Sequence, residues 1–294
     1  MKDAFYKLNP LTEFLFFFAV IALSMTINQP VFIILAYAGA AANCLFYNKK
    51  KTIAFLFRFS LPMTALIAVI NPLINHEGMT FMFYLPWGNP VTLEALLYGV
   101  ASGFMISTVM LWFSFLNEIM TSDKLIYLFG RISPSLSLII SMTLRFIPRF
   151  SAKYREARAV NGIGESKEAG VISKATSSVK CFSMVISRFL EGSIETADSM
   201  KGRGYGLKGR TAYAKYRFRA ADFVLMSLII SLSSAVVVLR ITRLCHFRYF
   251  PSVKGELLSP FSLALYVLTL ILVLLPLAYS AEEGLIWKKS RLAV

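Results

Sequence analysis

The sequence predicts an all-α, polytopic membrane protein with about six transmembrane helices and a cytoplasmic helical coupling segment. Three observations carry that prediction. The chain is 56% hydrophobic and only 16% charged over 294 residues, where soluble domains carry roughly 25% charged residues. Its apolar residues are gathered into runs near the ~20 residues that cross a bilayer. Its positive charge is concentrated in one internal segment.

The runs fall at about Leu11–Ile27, Pro30–Tyr47, Ala54–Leu73, Leu93–Leu116, Phe223–Leu239 and Phe261–Tyr279. The first follows a Lys-bearing start and could mimic a signal peptide. A second run begins within a few residues, however, with no clean small-residue cleavage site between, so the two read as a retained helical hairpin. Three regions result: 1–116 with the N-terminal transmembrane helices, 117–222 with cytoplasmic or interfacial coupling helices, and 223–294 with the C-terminal transmembrane helices and a tail.

Lys and Arg set orientation, because positively charged loops stay on the cytoplasmic side during insertion. A cytoplasmic N-terminus (Lys2, Lys7) places Lys49, Lys50 and Lys51 inside and the stretch Asn75–Thr92, which has neither Lys nor Arg, outside. The segment from about Asn117 to Asp222 then lies inside, as does the tail with Lys288, Lys289 and Arg291. The expectation is a multi-pass plasma-membrane protein with both termini cytoplasmic. One loop goes against the rule: that between the last two spans carries Arg240, Arg243, Arg248 and Lys254.

Residues 121–220 hold 18 Lys plus Arg against 7 Asp plus Glu, a surplus of +11 in a chain of net charge +15. Such a segment suits anionic membrane lipid, which attracts each nearby cation by ~1 kcal/mol. No nucleic-acid role is expected.

Catalysis is not expected. The middles of the spans are nearly uncharged, and Arg58, Glu94 and Glu118 lie towards span ends, where they read as structural. There is no HExxH pair, no GxSxG turn and no carboxylate pair inside a span. Neither Gly162-Ile163-Gly164-Glu165-Ser166-Lys167 nor Gly202-Arg203-Gly204-Tyr205-Gly206 has phosphate-loop spacing, so any ATP is bound by another chain. Cys44, Cys181 and Cys245 and the histidines His76 and His246 form no metal-ligand pattern, and no cofactor is expected.

Within the basic segment, Ser133–Phe150 is apolar but bounded by Pro134 and Pro148 and interrupted by Arg145, which predicts a buried or interfacial helix. Arg149–Arg158 is rich in helix formers and runs into Asn161-Gly162-Ile163-Gly164, which should end it. A longer helix is predicted over Val171–Met200, with Val179, Phe182, Val185, Ile186, Phe189 and Leu190 on one apolar face. It ends at Gly202-Arg203-Gly204. Two helices ending in small-residue turns beside Arg or Asn can be a docking device, since glycine permits close backbone approach and Arg grips carboxylates bidentately. They can equally be ordinary helix ends with solvated charges.

Leu8-Asn9-Pro10-Leu11-Thr12, Leu144-Arg145-Phe146-Ile147-Pro148 and Ala197-Asp198-Ser199-Met200-Lys201-Gly202-Arg203-Gly204-Tyr205 occur in an order that resembles the transmembrane T component of energy-coupling factor (ECF) importers. The resemblance implies a vitamin or transition-metal importer in which this chain works with two ABC-type ATPases and a substrate-binding membrane (S) subunit. It places two Ala-Arg-Gly-like signatures at the ends of coupling helices, where the ATPases dock. The second corresponds to Gly202, Arg203 and Gly204, with Gly in place of the usual Ala. The first falls on Val160-Asn161-Gly162, where Asn161 replaces the family's Arg; Asn161 itself or nearby Arg158 would make that contact. Phe182, Val185, Ile186 and Phe189 form a coupling-helix face that either meets the S subunit or packs inside this chain. The competing reading is a stand-alone channel or carrier whose basic segment is a lipid anchor.

Overall fold

A computed structural model describes residues 5–84, 90–160, 171–205, 207, 216, 218–242, 247–255 and 257–292. The chain divides into a unit of Met1–Thr121 with Tyr216–Val294 and a second unit, Ser122–Lys215.

The first unit is a helix bundle: α1 (Pro10–Thr26), α2 (Pro30–Tyr47), α3 (Lys49–Ile74), α4 (Leu93–Ile119), then, after the second unit, α8 (Ala220–Ile241) and α9 (Pro260–Leu292). Two short antiparallel pairs, β1 (Phe81–Tyr84) with β2 (Pro90–Thr92) and β3 (Phe247–Arg248) with β4 (Lys254–Gly255), lie in its loops. Among the described residues five of these helices are long and apolar enough to cross a membrane, with mean hydropathies of 1.7 to 2.5. The first expected span is a shorter apolar helix of 17 residues. Asn9 and Pro10 set its early start: Pro10 has the fixed φ that opens a helix, and the Asn9 side chain accepts from the Leu11 N–H at 3.1 Å.

A buried aromatic cluster centres the bundle. Phe16 and Phe17 of α1 meet Trp112 edge-on at 5.8 and 6.4 Å, and Phe115 packs on Phe17 and Tyr47. Alternating edge contacts of this kind add ~0.5–1.5 kcal/mol per pair beyond area burial.

Small residues bring backbones together elsewhere. Gly99 and Gly103 of α4 sit against α3, where an added Cβ would meet the Cα of Ala68 at 3.1 Å and of Thr64 at 2.9 Å. That is the spacing by which membrane helices cross closely. Asn71 Nδ2 donates to the Ala95 carbonyl at 2.6 Å, and the Thr64 and Ser107 hydroxyls bond at 3.0 Å. Gly39 of α2 lies against the Val273 side chain of α9, where Asn43 Nδ2 donates to the Val273 carbonyl at 2.9 Å.

Helix α3 contains a π turn over Leu56–Ser60, in which the Leu61 N–H reaches the Leu56 carbonyl. Pro62 follows directly and has no N–H to give, so one wide turn absorbs the missing bond. Arg58 is exposed in that turn. Only 11% of α3's most apolar window is buried, against 44% for α9, so most of α3 faces outward from the bundle.

Side-chain bonds tie the helix ends in register. Asn48 donates to Glu118 at 2.8 Å, and the Tyr47 and Ser280 hydroxyls meet at 3.0 Å, at the end bearing Lys49, Lys50 and Lys51. Gln29 meets Ser262 at 3.4 Å at the other end, where Tyr98 also packs edge-on against Tyr249 and Phe250 at 5.4 and 5.2 Å. The loop whose charge disobeys the orientation rule therefore lies at the end opposite Lys49–Lys51, as alternation of six helices requires. Burial and the neighbouring Tyr98 push the Tyr249 phenol up to about 12. Glu94 is structural, accepting from the N–H and hydroxyl of Thr80.

The second unit contains α5 (Ser122–Ile132), α6 (Pro134–Val160) and α7 (Val171–Gly202). Here the structure corrects the sequence reading. Pro148 does not separate two helices; α6 runs through it for 27 residues. Contacts to α7 on both sides of the proline, from Phe146 and from Phe150 and Tyr154, supply the packing that local propensity lacks.

Candidate functional site

The C-terminal half of α6 is polar and exposed. Its Lys153–Glu156 pair, 3.1 Å apart and about two-thirds exposed on both partners, adds little stability. Arg158 lies in the last turn, exposed, where the helix dipole favours a cation. Asn161 and Gly162 lie outside the described residues.

Along α7 the expected apolar face divides in two. Phe182 packs edge-on against Phe150 at 5.7 Å and Tyr154 at 6.3 Å; Phe189 does so against Phe146 at 5.3 Å and Phe150 at 5.5 Å. Val185 is buried on this side, and Ile186 is half-buried at its border. Val179 and Leu190 instead remain 66% and 61% exposed, in line with Ile172 and Ile194. At 100° per residue the six positions span too wide an arc for one partner helix to cover. The aromatic residues join α6 to α7, and the aliphatic stripe is left open.

The end of α7 is closed by a specific geometry. The Gly204 N–H bonds the Lys201 carbonyl at 3.0 Å and the Tyr205 N–H reaches back to the Met200 carbonyl at 3.1 Å, with Gly204 at φ +77°. This pair of bonds is the Schellman closure, and it needs a left-handed residue at Gly204's position. Arg203 is the C-cap residue, its N–H held by the Ser199 and Met200 carbonyls at 3.2 and 3.1 Å. Its backbone is thus fixed while its side chain is exposed. Lys201 is spoken for by Asp198 at 3.8 Å; Arg203 has no carboxylate partner among the described residues. Around Gly202 an added Cβ would find open space within 4 Å, so no local contact demands its glycine.

The described residues hold no group of His, Cys, Asp and Glu able to bind a metal. What this unit presents is a 32-residue helix, about 48 Å long at 1.5 Å per residue, with an exposed arginine on a fixed backbone at its tip.

No curated protein matches this sequence. A family model described as CbiQ, cobalt transport protein, matches residues 2–213. The match takes in the Asn9-Pro10 opening, α1 to α7 and the Gly202-Arg203-Gly204 turn, and stops before α8. It covers well over half the chain: the protein is a multi-pass membrane member of the CbiQ cobalt transport family, the T components of ECF importers.

Proposed function

We propose that this chain is the coupling subunit of an ATP-driven cobalt importer, passing the motion of two ABC-type ATPases to a substrate-binding membrane subunit without catalysis of its own. The end of the bundle carrying Lys49–Lys51 faces the cytoplasm, and the ATPases dock on the tips of α6 and α7. Closure of the ATPases displaces those tips, and the helix pair carries the displacement to the substrate-binding subunit.

The observation that supports this reading best is the tip of α7: Arg203 has a fixed backbone and an exposed side chain, and it lies within the residues that the family model matches. A guanidinium entering a partner groove pairs bidentately with a carboxylate. Losing one partner of such a desolvated pair costs about 2 to 5 kcal/mol, which is more than tenfold in affinity. The tip of α6 contributes through Arg158 or Asn161, and the open aliphatic stripe of α7, including Val179 and Leu190, serves the substrate-binding subunit.

The test is affinity capture of the detergent-solubilised protein from its native membrane, wild type against Arg203→Glu. Two ABC-type ATPases recovered with wild type and depleted at least tenfold with the variant are expected. A wild-type chain that purifies alone and still moves Co2+ into liposomes would overturn the proposal in favour of a self-sufficient channel or carrier.

A further inference from the structure

The loop between α8 and α9 goes against the charge rule, and its cations take no part in coupling. It lies at the end of the bundle opposite Lys49–Lys51. Over 242–259 the sequence has Arg243, Arg248 and Lys254 against a single acid, Glu256, which cannot balance all three. Arg243 and Glu256 lie outside the described residues.

The β3–β4 pair sets two of these cations side by side. Its register places Arg248 directly opposite Lys254, and residues so paired project from the same face with Cβ atoms about 5 Å apart. Both are exposed, and among the described residues neither has an ion-pair partner. Like charges in that register weaken a strand pair, so the two cations work against their own hairpin.

The other face of the hairpin is tied to the bundle. Strand residues alternate in direction. Tyr249, next to Arg248, is buried and packs edge-on against Tyr98 of α4 at 5.4 Å and Phe247 at 4.9 Å. Tyr266 of α9 donates to the Leu257 carbonyl at 3.2 Å just beyond. Apolar surface adjoins the cations: Val253, next to Lys254, is exposed, Leu258 is 82% exposed, and Phe261 and Leu263 continue that surface along the span α9.

We infer that Arg248 and Lys254 form a binding site for an anionic phospholipid, its phosphate held between the two cations and its acyl chains lying along the exposed apolar surface of Leu258 and Phe261. The Arg fork and the Lys ammonium both suit a phosphate, and its negative charge offsets their mutual repulsion. A free anion would leave the adjoining apolar surface unused. The site does not depend on the coupling role, and in the orientation proposed above it faces the outer leaflet.

The test places the full-length chain in nanodiscs of phosphatidylcholine with a minor share of phosphatidylglycerol. Val253→benzoylphenylalanine crosslinks the lipid beside Lys254, so cations elsewhere in the chain do not contribute. Phosphatidylglycerol should be captured about fivefold or more above its share of the bilayer, the effect of one cation beside anionic lipid. Adding Arg248→Gln with Lys254→Gln should bring capture to within about twofold of that share. Arg248→Lys, which keeps the charge and guards against a misfolded variant, should retain the preference. Capture in proportion to the bilayer by the otherwise wild-type chain, or a preference that survives loss of both charges, overturns the site.

A second readout separates the sources of negative charge. Phosphatidylglycerol should slow acetylation of Lys254 by about fivefold, and inorganic phosphate added to nanodiscs of phosphatidylcholine alone should not. Equal protection by inorganic phosphate would make this a free-anion site, and protection only with a co-purifying protein would make it an acidic partner's contact. Either result overturns the lipid assignment.

Discussion

Two helix pairs in this protein are held together by opposite means. At the α3–α4 crossing, Gly99 and Gly103 let one backbone lie on another, with Thr64, Ser107 and Asn71 bonding across. At the α6–α7 pair, interlocked aromatic side chains make the contact, and Phe182 is still 47% exposed. Backbone-on-backbone packing has no room to give. A ladder of half-exposed rings can re-pack by rotation about side-chain bonds, which suits the displacement proposed for that pair.

The comparison breaks most sharply at Gly103. Gly103→Leu drives a side chain into the Thr64 backbone and should cost about 3 kcal/mol or more, seen as a lower Tm and lower yield of folded protein in detergent. Gly192→Leu in α7, where nothing lies within 4 Å, should leave both near wild type. An equal loss at the two sites would erase the distinction.

A smaller effect is expected at Phe150, which touches both Phe182 and Phe189. Phe150→Ala should loosen the pair by about 1–2 kcal/mol, below the usual cost of Phe truncation because the ring is only half-buried. Hydrogen exchange should rise across 171–202 and stay unchanged in α1 and α2. Exchange rising equally in the bundle would mean that the aromatic ladder does not act locally.

The smallest effect sharpens the view of the tip. Gly202→Ala fills open space on a helical residue, so it should stabilise the end of α7 by roughly 0.5 kcal/mol with ATPase capture retained. Gly204→Ala should instead fray the tip, since that residue holds φ +77°.

These differences also mark what the sequence could reveal. The spans were legible because membrane helices are long apolar runs, and α7 was legible from Val171 to its glycines because amphipathic period and helix-stop residues agree there. The continuity of α6 through Pro148 was not, since it depends on rings supplied by another helix. Nor was the division of α7's apolar face, which needs the position of a neighbour. Asp222 read as an unremarked residue beside a span; its partner, the Asn9 N–H, stands 213 positions away, beyond the reach of any local pattern. Arg203 stands out in the sequence through its motif alone, and only the structure gives the hydrogen bonds that fix its backbone.

The π turn of α3 has a consequence for phase. An extra residue in a helix rotates all that follows by about 100°. Thr64, Ala68 and Asn71 follow the turn and meet Gly99 and Gly103. Deleting one residue within Leu56–Ser60 would thus keep the composition of α3 almost unchanged while swinging this stripe away from the glycines and bringing bulkier side chains round to face them. The local irregularity is the setting that decides which side of an outwardly apolar helix is the inside.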